Sequence, residues 1–455
     1  MYASDYNDRC LCAKIRINQM ISENLKDIRE HFFSEIEKIA SPEDLVLFQE
    51  KLANEIMRSE RKFNAADGDE YRWHTHQLRL YGDTLAWLFL HAHTVRNLAK
   101  SSTKPPRLTS QLASFKQVLG TAYDYARRGI PVIITDVTNR IKIGDLVLCY
   151  DPEMPALHEC KSKVRPEYLM QGRRGRQLSR AMQTLEYLHK GKGHVIGETG
   201  ERLCVEVKTE PKYSYAFVDK AVSNALLSDS SVEVCNAADV VWAFRDGTST
   251  DVLRGDLRNY IEQFGRPAIG CHARPLEELS VLVPPPVVWP ITRESRFALM
   301  ELDVFLMHFV DLSAFLHYQI GNAAITEVLE HGEFVDEYCF VIEIGNERKH
   351  LSSRFLDDVL YGHQTIESTA LQMLEFCCKL EQISKEEQAI LKTSKPKMTI
   401  VNSVGEALRL REKLYKDRSA DGYLVMPKQV FERIMKRNRQ NKSCGYNNEE
   451  IVSED

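Results

Sequence analysis

This sequence lacks a positive charge excess, a membrane-length apolar run and a paired-cysteine metal signature, and each absence removes a class of function. Net charge is −5 at neutral pH. No global basic field therefore marks a nucleic-acid binder, and any such contact must come from a local patch. The eleven cysteines include no C-x-x-C pair facing a second such pair or an H-x-x-x-H. Cys10-x-Cys12 and Cys377-Cys378 do not have zinc-site spacing, and the set reads as reduced thiols of a cytoplasmic protein. The opening residues MYASDYNDRC contain no apolar h-region, so no secretion signal is expected. The run TLAWLFLHAH is too short to span a bilayer, and later apolar stretches carry charges. No G-x-x-x-x-G-K-[ST] occurs, which removes a P-loop ATPase or helicase. The expectation is a soluble, cytoplasmic chain with no membrane partner.

What is present is material for cores. With 455 residues and 43% hydrophobic content, the chain can build two or three globular domains. Residues 1–107 read as helical. KIRINQMISENLKDIREHFFSEIEKIA has apolar residues at helical spacing, and Ser41-Pro42-Glu43-Asp44 is a helix start with an N-cap, Pro at N1 and acids in the first turn. A further helix is predicted from about Asp69 to Lys100. Its His74, His76, His91 and His93 form pairs at i, i+2, which face different ways and do not suit a shared metal. SSTKPPR then marks a boundary.

Residues 108–285 read as a second domain. Thr109-Ser110 caps a helix, QLASFKQVLGTAYDYARRG, that stops at Gly129. HVIGETGERLCVEVKTE reads as a hairpin, Ser214 to Leu227 as a helix, DVVWAF as a buried strand, VLRGDLRNYIEQFG as a helix and PAIGCH as a strand. LVPPPVVWPITRE looks like a domain joint. Residues 286–400 are expected to be mostly helical, with RFALMELDVFLMHFVDLSAFLHYQIG as one long amphipathic helix, YCFVIEI as a strand and FLDDVLYGHQTIESTALQMLEFCCKLEQI as a helical pair. That region has no chemical constellation and suits a scaffold or homo-oligomer contact. Residues 401–455 supply a basic helix, KQVFERIMKRNRQNK, and an acidic disordered tail.

The chemistry concentrates between Pro131 and Tyr187. An apolar strand from Pro131 to Thr135 precedes a strand opening with Gly144-Asp145 and continuing through Leu146 to Cys149. A loop with Pro152 and Pro155 reverses the chain, and a third strand carries His158-Glu159-Cys160-Lys161. Side chains alternate along a strand, so Glu159 and Lys161 share a face. Pairing of the second and third strands would bring Asp145 to them. Two carboxylates form the hard-oxygen set that Mg²⁺ or Mn²⁺ takes alongside water and substrate phosphate, and Lys161 could serve the attacking water.

Asp145 followed by Glu159-x-Lys161 resembles the PD-(D/E)xK nuclease superfamily. Gln183-Thr184-Leu185-Glu186-Tyr187 matches the Q-x-x-x-Y helix that one branch of that superfamily places after the third strand. The resemblance covers about a third of the chain. It implies a restriction-endonuclease-like mixed sheet core flanked by helices, within an α+β or α/β fold. It also implies a catalytic set of Asp145, Glu159, Lys161, Gln183 and Tyr187, with the metal held by Asp145, Glu159 and the Cys160 backbone carbonyl. The triplet alone says little, since E-x-K arises about twice by chance in a chain of this composition. Glu206-Val207-Lys208 fits it within the strand LCVEVK, but no acid opens a partner strand at a useful distance. Glu347-Arg348-Lys349 also fits it, and the preceding Gly345-Asn346 turn puts Glu347 off a strand end. The superfamily's preceding helix often adds an acid. Here the matching position is near Gln117, and the helix's acid is Asp124.

From Lys161 to Lys192 the charge balance turns basic. Lys163, Arg173, Arg174, Arg176 and Arg180 read as a track for a phosphate backbone, adjoining the acids. The expected function is a metal-dependent nuclease, with DNA as substrate on family grounds. It would act in phage defence, restriction or repair, under restraint by a protein partner or activator. Two alternatives stay open: a nucleic-acid-binding protein that keeps the fold without turnover, and a helical scaffold whose E-C-K is incidental.

Overall fold

The computed structural model describes residues 23–99, 105–141, 143–151, 154–160, 182–188, 190–194, 201–205, 207–249, 263–265, 267–271, 283–330, 338–352, 354–382, 397–401 and 423–427. The chain is mixed α+β with a helical N-terminal part, and it divides into two compact units that meet in sequence between Leu203 and Cys204. Among the described residues no helix is long and apolar enough to cross a membrane.

The first unit begins with α1 (Glu23–Ile36), α2 (Pro42–Glu60), α3 (Gly68–Phe89) and α4 (Ala92–Leu98). Ser41 caps α2 as its sequence announces, accepting the Asp44 N–H at 3.0 Å with Pro42 at the first helical position. The single helix expected to Lys100 is two. The chain turns extended at Leu90 and His91 before α4 starts. Next comes α5 (Leu112–Arg127), entered through the 3₁₀ turn Leu108–Gln111. Thr109 does not cap it, because its hydroxyl donates to Glu60 at 2.9 Å. Gly129, at φ +81°, ends the segment as expected.

The strands β1 (Val132–Ile134), β2 (Leu146–Leu148) and β3 (Ala156–His158) form an antiparallel meander in that order. β1 is an edge strand whose outer peptide groups are buried, so something other than water must satisfy them. Gln49 of α2 does so. Its amide donates to the Val132 carbonyl at 2.8 Å and accepts the Ile134 N–H at 2.7 Å, imitating a neighbouring strand. α6 (residues 182–188) and the hairpin of β4 (Lys192–His194) with β5 (Glu201–Leu203) follow. The strand expected around Glu206 ends at Leu203. Lys397–Val401 and Tyr423–Pro427 pair in parallel, the one parallel ladder among the described strands.

The second unit holds α7 (Tyr215–Ser228), β6 (Ser230–Asn236), β7 (Asp239–Arg245), β8 (Pro267–Cys271), α8 (Arg293–Glu301) and β9 (Val304–Asp311). The sheet order β6-β7-β9-β8 is antiparallel throughout. β9 overturns the long amphipathic helix. Leu302 adopts φ +60° and ends α8, and VFLMHFVD then runs as a central strand between β7 and β8. A short run apolar on both faces suits an interior strand as well as a buried helix, and its aromatic and β-branched residues favour the strand. The boundary expected near residue 285 thus falls between two strands of one sheet. The Pro-rich tract is also no joint, since Val287, Val288 and Trp289 are buried.

A second antiparallel sheet follows, of β10 (Gln319–Ile320), β11 (Ala323–Glu330), β12 (Tyr338–Ile344) and β13 (Glu347–Ser352), with α9 (Arg354–Leu360) and α10 (Ile366–Gln382). Residues 286–400 are therefore not mostly helical. Glu347 pairs with Ile344 and opens β13, because a two-residue turn leaves no slack before pairing resumes. Phe315, Phe340, Ile342, Val359 and Met373 belong to the core beneath this sheet. The segment expected to form a helix around VLRGDLRNYIEQFG lies outside the described residues except for its last three, which are not helical, and the expected basic helix near the C-terminus lies outside them.

Candidate functional site

The register of the meander brings the two sequence-proposed acids to one end of the sheet. Leu146 pairs with His158 as the last pair of the β2–β3 ladder, and Asp145 and Glu159 flank that pair. Glu159 lies just past β3 rather than within it, since that strand ends at His158. The corner is held by backbone bonds. Asp145 N–H donates to the His158 carbonyl at 3.0 Å, and Thr135 N–H donates to the Asp145 carbonyl at 3.1 Å. Asp145 Oδ2 accepts the Cys160 N–H at 2.6 Å, which draws the carboxylate towards the chain beyond Glu159. Gly144 reaches Asp145 through φ +75°, a conformation glycine adopts without Cβ strain.

A third acid stands at this corner. Ile134 pairs with Leu146, so Thr135 lies opposite Asp145, and Asp136 follows it in the 3₁₀ turn Thr135–Val137. Burial raises the Asp136 carboxyl above the usual carboxylate range, Arg79 opposes the shift, and the negative charges of Glu159 and Glu60 add to it. The Cys160 thiol reports the same crowding. Burial pushes it up to about 11 against a hydrogen bond from Thr121, and Asp145, Glu159 and Asp136 all contribute upward. At neutral pH this thiol stays protonated. Sequence reasoning passed over Asp136. The available signal was proximity in sequence: Asp136 lies two residues past Ile134, the last residue of β1.

The turn is clamped by one face of α3. Arg79 donates to the carbonyls of Asp136 at 2.8 Å and Thr138 at 3.5 Å. Gly82 abuts the same turn, where an added Cβ would stand 2.2 Å from the Val137 carbonyl oxygen. Asp83 accepts the N–H groups of Asn139 and Arg140 at 3.1 and 3.0 Å, and burial raises its carboxyl to about 6. On the other side, the Tyr125 hydroxyl of α5 and His158 Nδ1 are 2.9 Å apart.

The remaining sequence-proposed residues are placed as follows. Gln117 and Asp124 on α5 are exposed, and Asp124 pairs with Arg127 at 2.7 Å. Gln183 is exposed on α6. Tyr187 is buried, its ring 5.7 Å from that of His93. Lys161, Lys163, Arg173, Arg174, Arg176 and Arg180 lie outside the described residues. Of the four histidines, His74 and His76 are buried in α3, and His74 Nδ1 is 3.0 Å from the Arg29 guanidinium.

Among the described residues, no three His, Cys, Asp or Glu side chains converge as a ready metal cage. A hard divalent cation does not require one. Mg²⁺ keeps several waters and binds through one or two carboxylates together with substrate phosphate. Asp145 and Glu159, flanking the last pair of the β2–β3 ladder, offer two carboxylates of that kind. Comparison of the chain with protein-family profiles, curated proteins and solved structures finds no match.

Proposed function

We propose that this chain is a metal-dependent nuclease of PD-(D/E)xK type, hydrolysing phosphodiester bonds of DNA. The observation that carries the reading is that Asp145 and Glu159 flank the last pair of the β2–β3 ladder, at the end of a three-stranded meander entered from a helix. These two carboxylates would hold Mg²⁺ or Mn²⁺. When bound, that cation supplies Lewis-acid stabilisation of charge on the reacting phosphate. Lys161, two residues beyond Glu159, orients the attacking water. The water oxygen bonds to phosphorus, one P–O ester bond breaks, and the departing oxygen takes up a proton. Gln183 and Tyr187 steady the substrate strand, and the basic tract holds the phosphate backbone by sequence-independent, salt-sensitive contacts. A restriction-endonuclease-like core, a cytoplasmic setting and a restraining partner or activator in phage defence, restriction or repair belong to the same proposal.

A second reading is binding without turnover. It is favoured by Asp145 Oδ2 already accepting the Cys160 N–H and by the lack of a ready cage among the described residues. A cleavage assay on supercoiled, linear and single-stranded DNA with Mg²⁺ and Mn²⁺, run beside Glu159→Ala and Lys161→Ala, separates the two. Cleavage lost in both variants supports the nuclease. Salt-dependent binding that survives Glu159→Ala, with no cleavage in any metal, supports the second reading.

A further inference from the structure

Away from the acids of the meander, the corner between α2 and α3 in the first unit carries a basic and aromatic surface. Arg61 and Lys62 in the connecting loop, Arg72 in the first turns of α3, and Arg107 are exposed there. The exposed acids of the loop and of that helix start are Asp67 and Asp69; Glu70 is buried. Two rings interleave the cations. The Arg107 and Arg72 guanidinium carbons lie 5.0 and 5.9 Å from the centre of the Phe63 ring. The Lys62 ammonium lies 4.6 Å from the centre of the Tyr71 ring and donates to its hydroxyl at 2.7 Å. Phe63 and Tyr71 are half-buried. The backbone behind them is fixed. Arg72 donates to the Phe63 carbonyl at 3.0 Å, and the loop lies so close on α3 that a Cβ at Gly68 would stand 2.2 Å from that carbonyl oxygen. Buried Arg79 donates to the Pro106 carbonyl at 3.0 Å, and buried Glu60 accepts the Leu108 and Thr109 N–H groups at 3.1 and 2.9 Å, which pins the chain on both sides of Arg107. Arg72 pairs with Asp69. Among the described residues, Arg61, Lys62 and Arg107 form no ion pair with a carboxylate.

We propose that this corner is a binding surface for single-stranded nucleic acid, separate from the meander: its cations meet the phosphate backbone, and unpaired bases stack on the Phe63–Arg107 pair and on Tyr71. A guanidinium lying over a ring keeps its N–H edge for phosphate oxygens and its outer face for a nucleobase. Rings set among cations on a fixed backbone are the combination that single strands use, since every base offers a π-face. A duplex would meet the cations alone, because its base faces are already stacked on one another. Binding at this corner needs neither a metal nor a cleavage step.

The test uses the full chain in EDTA and follows the fluorescence anisotropy of a labelled oligothymidylate of about 15 nucleotides, with a duplex of the same length beside it. The parent should bind the single strand more tightly than the duplex, with an affinity that falls as salt rises. Arg107→Ala and Phe63→Leu should each weaken single-strand binding by about tenfold. Arg107→Lys keeps the charge and loses the plane, so it should lose affinity at an unchanged salt slope, whereas Arg107→Gln should lower that slope by about 0.7. Melting temperatures should stay at the parental value, because Arg107 is exposed and Phe63→Leu keeps an apolar side chain against α3. Parental affinity in both Arg107→Ala and Phe63→Leu, or no single-strand binding by the parent, overturns the proposal. Loss in Arg107→Gln with Phe63→Leu at parental affinity and the duplex bound equally well makes the corner a phosphate track and overturns the single-strand assignment. Cleavage in Mg²⁺ is scored separately: a parent that cuts no DNA yet loses single-strand binding in these variants fails the nuclease reading and supports this surface.

Discussion

Two clusters of titratable side chains, one in each unit, are assembled from similar residues and solve opposite problems. In the second unit, Asp239 and His308 are both fully buried and joined at 2.6 Å, with the His363 ring 5.2 Å from His308 and Trp289 edge-on to His363 at 4.9 Å. In the first, Asp136, Asp145 and Glu159 are partly exposed carboxylates gathered at a strand end. A buried carboxylate with a hydrogen-bonded partner holds a core together. Like charges brought near one another raise each other's cost of ionisation, and the surrounding fold must over-determine their placement.

Breaking each cluster sharpens the contrast. The largest effect is expected from Glu159→Gln: loss of a metal-holding carboxylate should slow cleavage by on the order of 10²- to 10³-fold. Relief of repulsion on Asp136 should at the same time leave urea stability equal to or slightly above the parent. A variant that loses both activity and stability would make Glu159 an ordinary structural acid. His308→Ala should do the reverse and cost about 3–5 kcal/mol in urea unfolding, because it leaves Asp239 buried without its partner. A cost below 1 kcal/mol would show that the pair is dispensable.

Asp83 tests the buried acids beneath the site. Its folded pKa of about 6 lies above the ordinary value of 3.8. Its contribution is therefore fully present below about pH 4 and is lost as pH rises through 6. Asp83→Asn can still accept the Asn139 and Arg140 N–H groups. The stability of the parent relative to this variant should fall by on the order of 2–3 kcal/mol between pH 4 and 7.5. A pH-independent difference would contradict the assignment. The smallest effect is expected from Gln183→Ala, exposed on α6: stability within about 0.5 kcal/mol of parent, with cleavage reduced. Unchanged cleavage would separate that helix from the site.

What could be read ahead of the structure was local. The Ser41 cap, the stop at Gly129 and the turn at Gly345-Asn346 are written in residues whose conformational preferences act over a few positions. The strands β1–β3 were legible because short apolar runs are punctuated by glycine and proline. The placement of Asp145 and Glu159 at the ends of neighbouring strands followed from adjacent strands joined by a short loop. The same local logic misread VFLMHFVD. A run apolar on both faces fits helix and strand alike, and only its place between β7 and β8 chose.

The sequence by itself therefore determined the meander and its two acids, through periodicity and turn chemistry. Tertiary structure alone decided that Arg79, 57 residues away in the chain, holds the turn that carries Asp136. Such contacts join positions that no local pattern links. They exist because a buried guanidinium must find acceptors and a buried edge strand must find a substitute neighbour.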